Sequence, residues 1–220
     1  MNKIVWFRYD LRLDDNEAFI NASQNKSILP IFIYDKNYFL LETSSSFHLK
    51  FLKQSVDELS QLLRTKFNTQ LNIYYGDTLR IINKLIDKFK ISEIYSNRVF
   101  NNNFITNLDY KCEEMLKEKN INWFRFNQFG LQLNHRVRPN WSKNWNNFIN
   151  KPILSQKVSC NFISDDFNEN IRVKTNELEN SFIQKGGRQE AVKLLESFLS
   201  DRSENYQKEM SSPITGENSC

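Results

Sequence analysis

The chain has 220 residues, 40% of them hydrophobic and 14% aromatic, enough to bury one domain of ~100–200 residues and leave an appendage. Thirty basic and twenty-six acidic residues give a formal charge of +4, too even a balance to mark a nucleic-acid surface without a clustered patch. Cys112, Cys160 and Cys220 are scattered and odd in number, which argues against a disulfide framework or a zinc site. No apolar run approaches the ~18 residues of a membrane span and no basic-then-apolar leader opens the chain, so the expected setting is cytoplasmic, without membrane association.

Lys3 to Phe7 is rich in β-branched and aromatic residues, the composition of a strand buried on both faces at the centre of a parallel sheet. Arg8, Asp10 and Arg12 then alternate, and Asp14, Asp15 and Asn16 stand ready to cap a helix near Glu17. Charge is thereby concentrated beyond the carboxyl end of a strand, where open α/β sheets place ligands. The same three charges could instead pair with one another and lock the turn.

A helix is expected over residues 17–25 and a second strand over 27–35, with Pro30 near its start. Ser44 to Ser46 cap a long amphipathic helix that carries Leu49, Leu52, Val56, Leu59, Leu63 and Phe67. Leu71 to Tyr75 form a third strand closed by Gly76 and Asp77. Ile82, Leu85, Ile86 and Phe89 mark the next helix. A fourth strand is expected over residues 93–100, a helix from about Asn103, and a fifth strand over 122–129. This alternation predicts an α/β fold: a doubly wound, five-stranded parallel sheet with right-handed crossovers, Rossmann-like in architecture. No Gly-x-Gly-x-x-Gly follows the first strand and no Gly-x-x-x-x-Gly-Lys-Ser/Thr occurs, so a glycine-loop phosphate cradle is not supported.

Residues 130–185 are polar and Asn/Ser-rich, a long linker with a short helix near Trp141 to Asn150. His135, Arg136, Arg138 and Lys143 beside Trp141 and Trp145 form the one basic-aromatic cluster of a kind that nucleic acids use. The bland alternative is a helix start followed by a core face at Trp141, Trp145 and Phe148. From Gly186 and Gly187 a carboxy-terminal amphipathic helix runs to before Pro213, with Ala191, Leu194, Leu195, Phe198 and Leu199 as its apolar stripe. That stripe needs a partner.

Trp6 to Asn16 matches every fixed position of Trp-Phe-Arg-x-Asp-Leu-Arg-Leu-x-Asp-Asn and so resembles the opening of the photolyase/cryptochrome family. Phe129-Gly130 with Arg138, Trp141, Trp145 and Pro152, and Gly186-Gly187 with Ala191, Phe198 and Tyr206, extend the resemblance. It implies an α/β antenna domain over 1–130, an interdomain connection over 131–185, and the start of a helical flavin-binding domain over 186–220. The implied function is light-driven, flavin-dependent repair of cyclobutane pyrimidine dimers in damaged DNA by a deoxyribodipyrimidine photolyase, a carbon-carbon lyase. A cryptochrome-type blue-light photoreceptor is the alternative within the family. A stand-alone small-ligand or nucleotide-binding α/β domain is the alternative outside it.

The resemblance further implies FAD as cofactor, with Tyr206 the one FAD contact that carries over. The family's phosphate loop would begin where the sequence stops, so repair by these residues alone is not expected, and a separate chain completing the helical domain is a possible partner. For the antenna chromophore, a folate, deazaflavin or flavin, the implied pocket involves Asp10, Tyr34, Asp35, His48, Asn97, Arg98 and Asn102. A folate-binding branch carries Asn-Glu where this chain has Asn102-Asn103. His48 and Asn102 have a plainer reading, as partly buried, hydrogen-bonded residues of purely structural use.

Overall fold

In the computed structural model, which describes residues 2–128, 140–155, 157–165, 184–212 and 214, the first strand β1 (Asn2–Phe7) lies at the centre of the sheet. β2 (Gln24–Asp35) and β4 (Ile91–Asn97) pair with it in parallel on either side. β3 (Asn72–Gly76) and β5 (Asn122–Phe126) extend the order to β3-β2-β1-β4-β5. Alternate residues of β1 serve opposite faces. Val5 and Phe7 join Phe19 of α1 (Glu17–Ala22) and Val56, Leu59 and Leu63 of α2 (Ser46–Phe67). Ile4 and Trp6 join Ile82 and Leu85 of α3 (Thr78–Phe89) and Cys112 and Leu116 of α4 (Asn103–Glu118). With helices on both faces the sheet is doubly wound, and each fully buried aliphatic or aromatic side chain contributes ~1.5–3 kcal/mol.

Boundaries depart from the sequence reading where side chains intervene. The first helix stops at Ala22 because Ser23 turns its backbone N–H to Phe19 O and its hydroxyl to Ile20 O, and β2 starts at once with Gln24. The fourth strand ends at Asn97, whose amide is drawn into the polar knot described below, and does not continue to Phe100. A sixth strand, β6 (Ser159–Phe162), lies in the stretch read as linker and pairs in parallel with residues 24–28 of β2. Four residues of mixed polarity carry too weak an alternation to announce a strand.

β6 and β3 share one edge of β2, end to end, and Pro30 sits at their junction. Ile28 O accepts from Ile163 N on that edge, so Pro30, two residues on, faces the same way with no N–H to offer. The Asn72 amide spans the break. It donates to Pro30 O (2.9 Å) and Ile163 O (3.3 Å) and accepts from Asp165 N (2.7 Å). Asp165, 4% exposed, in turn receives Lys88 Nζ at 2.6 Å and the Tyr74 hydroxyl at 2.9 Å.

Beyond the sheet, α5 (Trp141–Ile149) buries no residue. Trp141 and Trp145 stack on each other, centroids 5.8 Å apart, and stay 42% and 36% exposed, so they do not form the expected core face. His135, Arg136 and Arg138 lie outside the described residues. The last helical stretch comprises α6 (Arg188–Ser197), a π-helical turn (Phe198–Arg202) and α7 (Ser203–Glu209). Leu195 and Leu199 on it are largely exposed.

Burial and a hydrogen bond to Glu93 push the Tyr95 phenol up to about 12, and burial raises Tyr34 and Tyr74 as well. The unfolded chain releases these protons from about pH 10. The folded state therefore holds more protons above that point, and stability falls as pH rises from about 10 to 12. Urea midpoints should drop steadily across this window; a flat profile would contradict the burial of these phenols.

Candidate functional site

The site is built on a buried polar knot just beyond β1. Asp10, 3% exposed, accepts from Arg8 N, from Asn16 Nδ2 and, at 2.7 Å, from Asn97 Nδ2. Asn16 also caps α1 by accepting from Phe19 N. Arg8 turns away to Asp109 on α4 at 2.7 Å and lies over the Trp6 ring. Arg12 reaches Gln128 Oε1 and Asp15 O. The three alternating charges thus do not pair with one another. Each fastens the segment after β1 to a different element.

The knot holds Tyr9, Leu11 and Arg12 at the rim of a cavity of about 740 Å³ outside the carboxyl ends of the strands. Tyr38 and Phe39, from the turn after β2, and Phe51 of α2 supply aromatic wall. Tyr9 meets Tyr38 edge-on at 6.5 Å, and burial together with a hydrogen bond to Tyr38 raises the Tyr9 phenol. Three helix starts converge here: α2 through Thr43 and His48, α4 through Asn102, and α6 through Gly187 and Arg188. Each start carries the positive end of a helix dipole. Among the described residues two guanidinium groups and an imidazole line the cavity and no carboxylate does. That combination suits a planar ligand with an anionic tail.

The start of α6 seats on α2 because Gly186 and Gly187 have no side chain. A Cβ on Gly186 would fall 2.0 Å from Phe51 O, and Gly187 has φ +115° with Glu58 where its Cβ would be. Gly186 N donates to Gln54 Oε1 and Gln189 N to Glu58. Asp14 adds salt bridges to Lys66 of α2 and Arg188 of α6, and the hydrogen bond from Lys66 leads the effects that hold its carboxyl below the usual range.

Of the residues expected around a ligand, the structure brings His48 and Asn102 to this cavity. His48 is exposed at the rim rather than partly buried, and only its backbone N–H is tied, to the Ser45 cap. Asn102 caps α4, accepting from Ile105 N. The others do not line it. Tyr34 packs in the core, and Asp35 accepts from Asn37 N and from Thr78 N and Oγ1, tying β2 to α3. Asp10 and Asn97 belong to the knot. Arg98 is half-buried beside β5, donating its N–H to Phe126 O, and burial lowers its pKa. Tyr206 stands on α7 against Phe198, away from the cavity. Sequence reasoning missed Tyr9, Tyr38 and Arg188, although aromatic residues just past strand ends and an arginine opening a helix were visible signals.

No group of three or more metal-ligating side chains occurs among the described residues, and no described helix is long and apolar enough to cross a membrane. A doubly wound parallel sheet with a cationic, aromatic cavity at its carboxyl edge defines the class: a Rossmann-like α/β ligand-binding domain. The family model for DNA photolyase matches residues 3–134. An archaeal photolyase from Sulfolobus tokodaii, solved with two FAD molecules, superposes over 89% of this chain and 46% of its own, with a TM-score of 0.73 and 24% identity. A class III photolyase from Agrobacterium tumefaciens gives 0.69 and 21% over 94% of this chain and 46% of its own. Among curated proteins, cryptochrome-1 of Aedes aegypti is 29% identical over 101 residues, 43% of this chain and 18% of its own length. The chain spans less than half the length of each of these relatives. It belongs to the DNA photolyase family.

Proposed function

We propose that this chain is the light-harvesting part of a photolyase-type flavoprotein and that its carboxyl-edge cavity holds the antenna chromophore. The convergence of three helix starts and two arginines on an aromatic cavity without a carboxylate carries the reading. Tyr9, Tyr38 and Phe51 would sandwich a planar ring, and His48, Asn102 and Arg188 would hold its phosphate or carboxylate tail. The bound chromophore would absorb light and pass the excitation on. Photolyases and cryptochromes both figure among the similar proteins, so the reading covers dimer repair in damaged DNA and blue-light signalling alike. The described residues do not form the catalytic FAD site: among them Tyr206, exposed on α7, is the one candidate contact.

FMN and methenyltetrahydrofolate are suitable probes of the cavity, read by fluorescence. His48→Ala is expected to weaken retention of the probe that binds by about tenfold, the loss of one charge-assisted contact. Its melting temperature should hardly move, since an exposed change costs about 0.5 kcal/mol or less. Asn102→Ser preserves the cap of α4 and should also weaken binding, whereas Asn102→Ala would add a capping loss of ~1 kcal/mol. Undiminished binding by both His48→Ala and Asn102→Ser would remove the chromophore from this cavity.

A further inference from the structure

We infer, and this rests on the chromophore reading, that Gln54 and Glu58 of α2 are positioning residues for the cavity: they hold the start of α6 so that ligand binding and the seating of α6 strengthen each other. The cavity wall comes from two parts of the chain. The segment after β1, the turn after β2 and α2 supply most of it, and Gly187, Arg188 and Ala191 at the start of α6 close one side.

A helix start leaves backbone N–H groups that need acceptors. Gly187 stands at the N-cap of α6 with no side chain to provide one. α2 provides them instead. Gln54 Oε1 accepts from Gly186 N at 2.8 Å, and Glu58 Oε1 accepts from Gln189 N at 3.1 Å. The two acceptors stand one turn apart on α2, so they hold the chain on both sides of Gly187 and Arg188. A Cβ on Gly186 would meet Phe51 O and Ser55 Oγ, and Phe51 and Ser55 also line the cavity. Seat and cavity are built on the same turn of α2.

Arg188 pairs with Asp14 at 3.4 Å, with side chains 42% and 55% exposed, and such a pair contributes little. No residue of α6, the π-helical turn or α7 is buried. Seating therefore falls mainly on Gln54 and Glu58. Neither of them lines the cavity, so an effect of either on binding must pass through α6. A ligand in contact with Gly187, Arg188 and Ala191 favours the seated state, and by reciprocity the seated state favours the ligand by the same factor.

The full chain and its variants are compared with whichever of FMN and methenyltetrahydrofolate it binds, with affinity read by fluorescence and seating by hydrogen exchange of the amides of residues 191–197. The probe should slow that exchange in the native chain. Glu58→Ala, a good helix former within α2, should speed it in the probe-free chain, weaken binding about fivefold or more, and leave exchange in the sheet unchanged. Glu58→Gln keeps an accepting oxygen and should restore both readings. Gly186→Ala, which cannot seat on Phe51 O, should weaken binding at least as much as Glu58→Ala. His48→Ala should weaken binding and leave probe-free exchange in α6 at the native rate. Native affinity in Glu58→Ala, no recovery in Glu58→Gln, or exchange in α6 that ignores the probe would overturn the coupling and leave the chromophore reading standing. Binding of neither probe by the native chain would overturn both.

Discussion

Asp10→Ala is expected to lower the melting temperature by about 6–20 °C. The carboxylate accepts three hydrogen bonds in a place where water cannot replace it, and its removal strands Arg8 N and the amides of Asn16 and Asn97. A buried donor left unsatisfied costs ~1–3 kcal/mol, and the shared geometry puts the sum near 3–5 kcal/mol. For a chain of this size each kcal/mol is worth about 2–4 °C. Asp10→Asn keeps the shape but turns an N–H₂ group toward other donors, so it should be intermediate. Differential scanning calorimetry decides: a shift of less than about 2 °C for Asp10→Ala would mean the knot relaxes freely.

The second large effect concerns the edge of β2. A chain ending at Asp165 is expected to be folded and monomeric, while one ending at Ser155 should aggregate. The shorter chain loses β6, which covers residues 24–28 of β2, and with it Phe162, whose ring lies 5.3 Å from that of Phe67. It also loses Asp165, the partner of Lys88 and Tyr74. An uncovered strand edge next to exposed aromatic surface invites pairing with another chain. Size-exclusion chromatography with light scattering, together with urea midpoints, reads the difference. Equal solubility and stability of the two fragments would show that β6 is dispensable.

These cases also mark what was legible in the sequence. The two faces of β1 could be read from Ile4, Val5, Trp6 and Phe7 because each of them is apolar, and the helix stripes from their spacing of three and four. Asn16 as a cap and Gly186-Gly187 as a helix opening were equally local signals. β6 was hidden because its identity depends on a partner some 130 residues earlier in the chain. Of the cavity, His48 and Asn102 were foreseen from loop positions, but Arg188 and Tyr38 reach it only through the seating of α6 and the turn after β2. Tyr34 and Asp35 were placed at the right strand end, yet a side chain's direction there is set by packing and capping: Asp35 closes on Thr78, and Tyr34 meets Phe32 edge-on at 4.8 Å.

The end-to-end arrangement of β6 and β3 at Asn72 bears on how the protein is made. Synthesis delivers β1 to β5 first, and β6 emerges only after the whole of α5. At ~5–20 residues per second the interval between Phe126 and Phe162 lasts roughly 2 to 7 s. During that time the half-assembled sheet on the ribosome has residues 24–28 of β2 uncovered and the Asn72 amide waiting for Ile163 and Asp165. Nascent chains should therefore pass through a seconds-long window in which a chaperone that holds open strand edges has something to hold, and codon changes that slow translation between residues 127 and 158 should lengthen it.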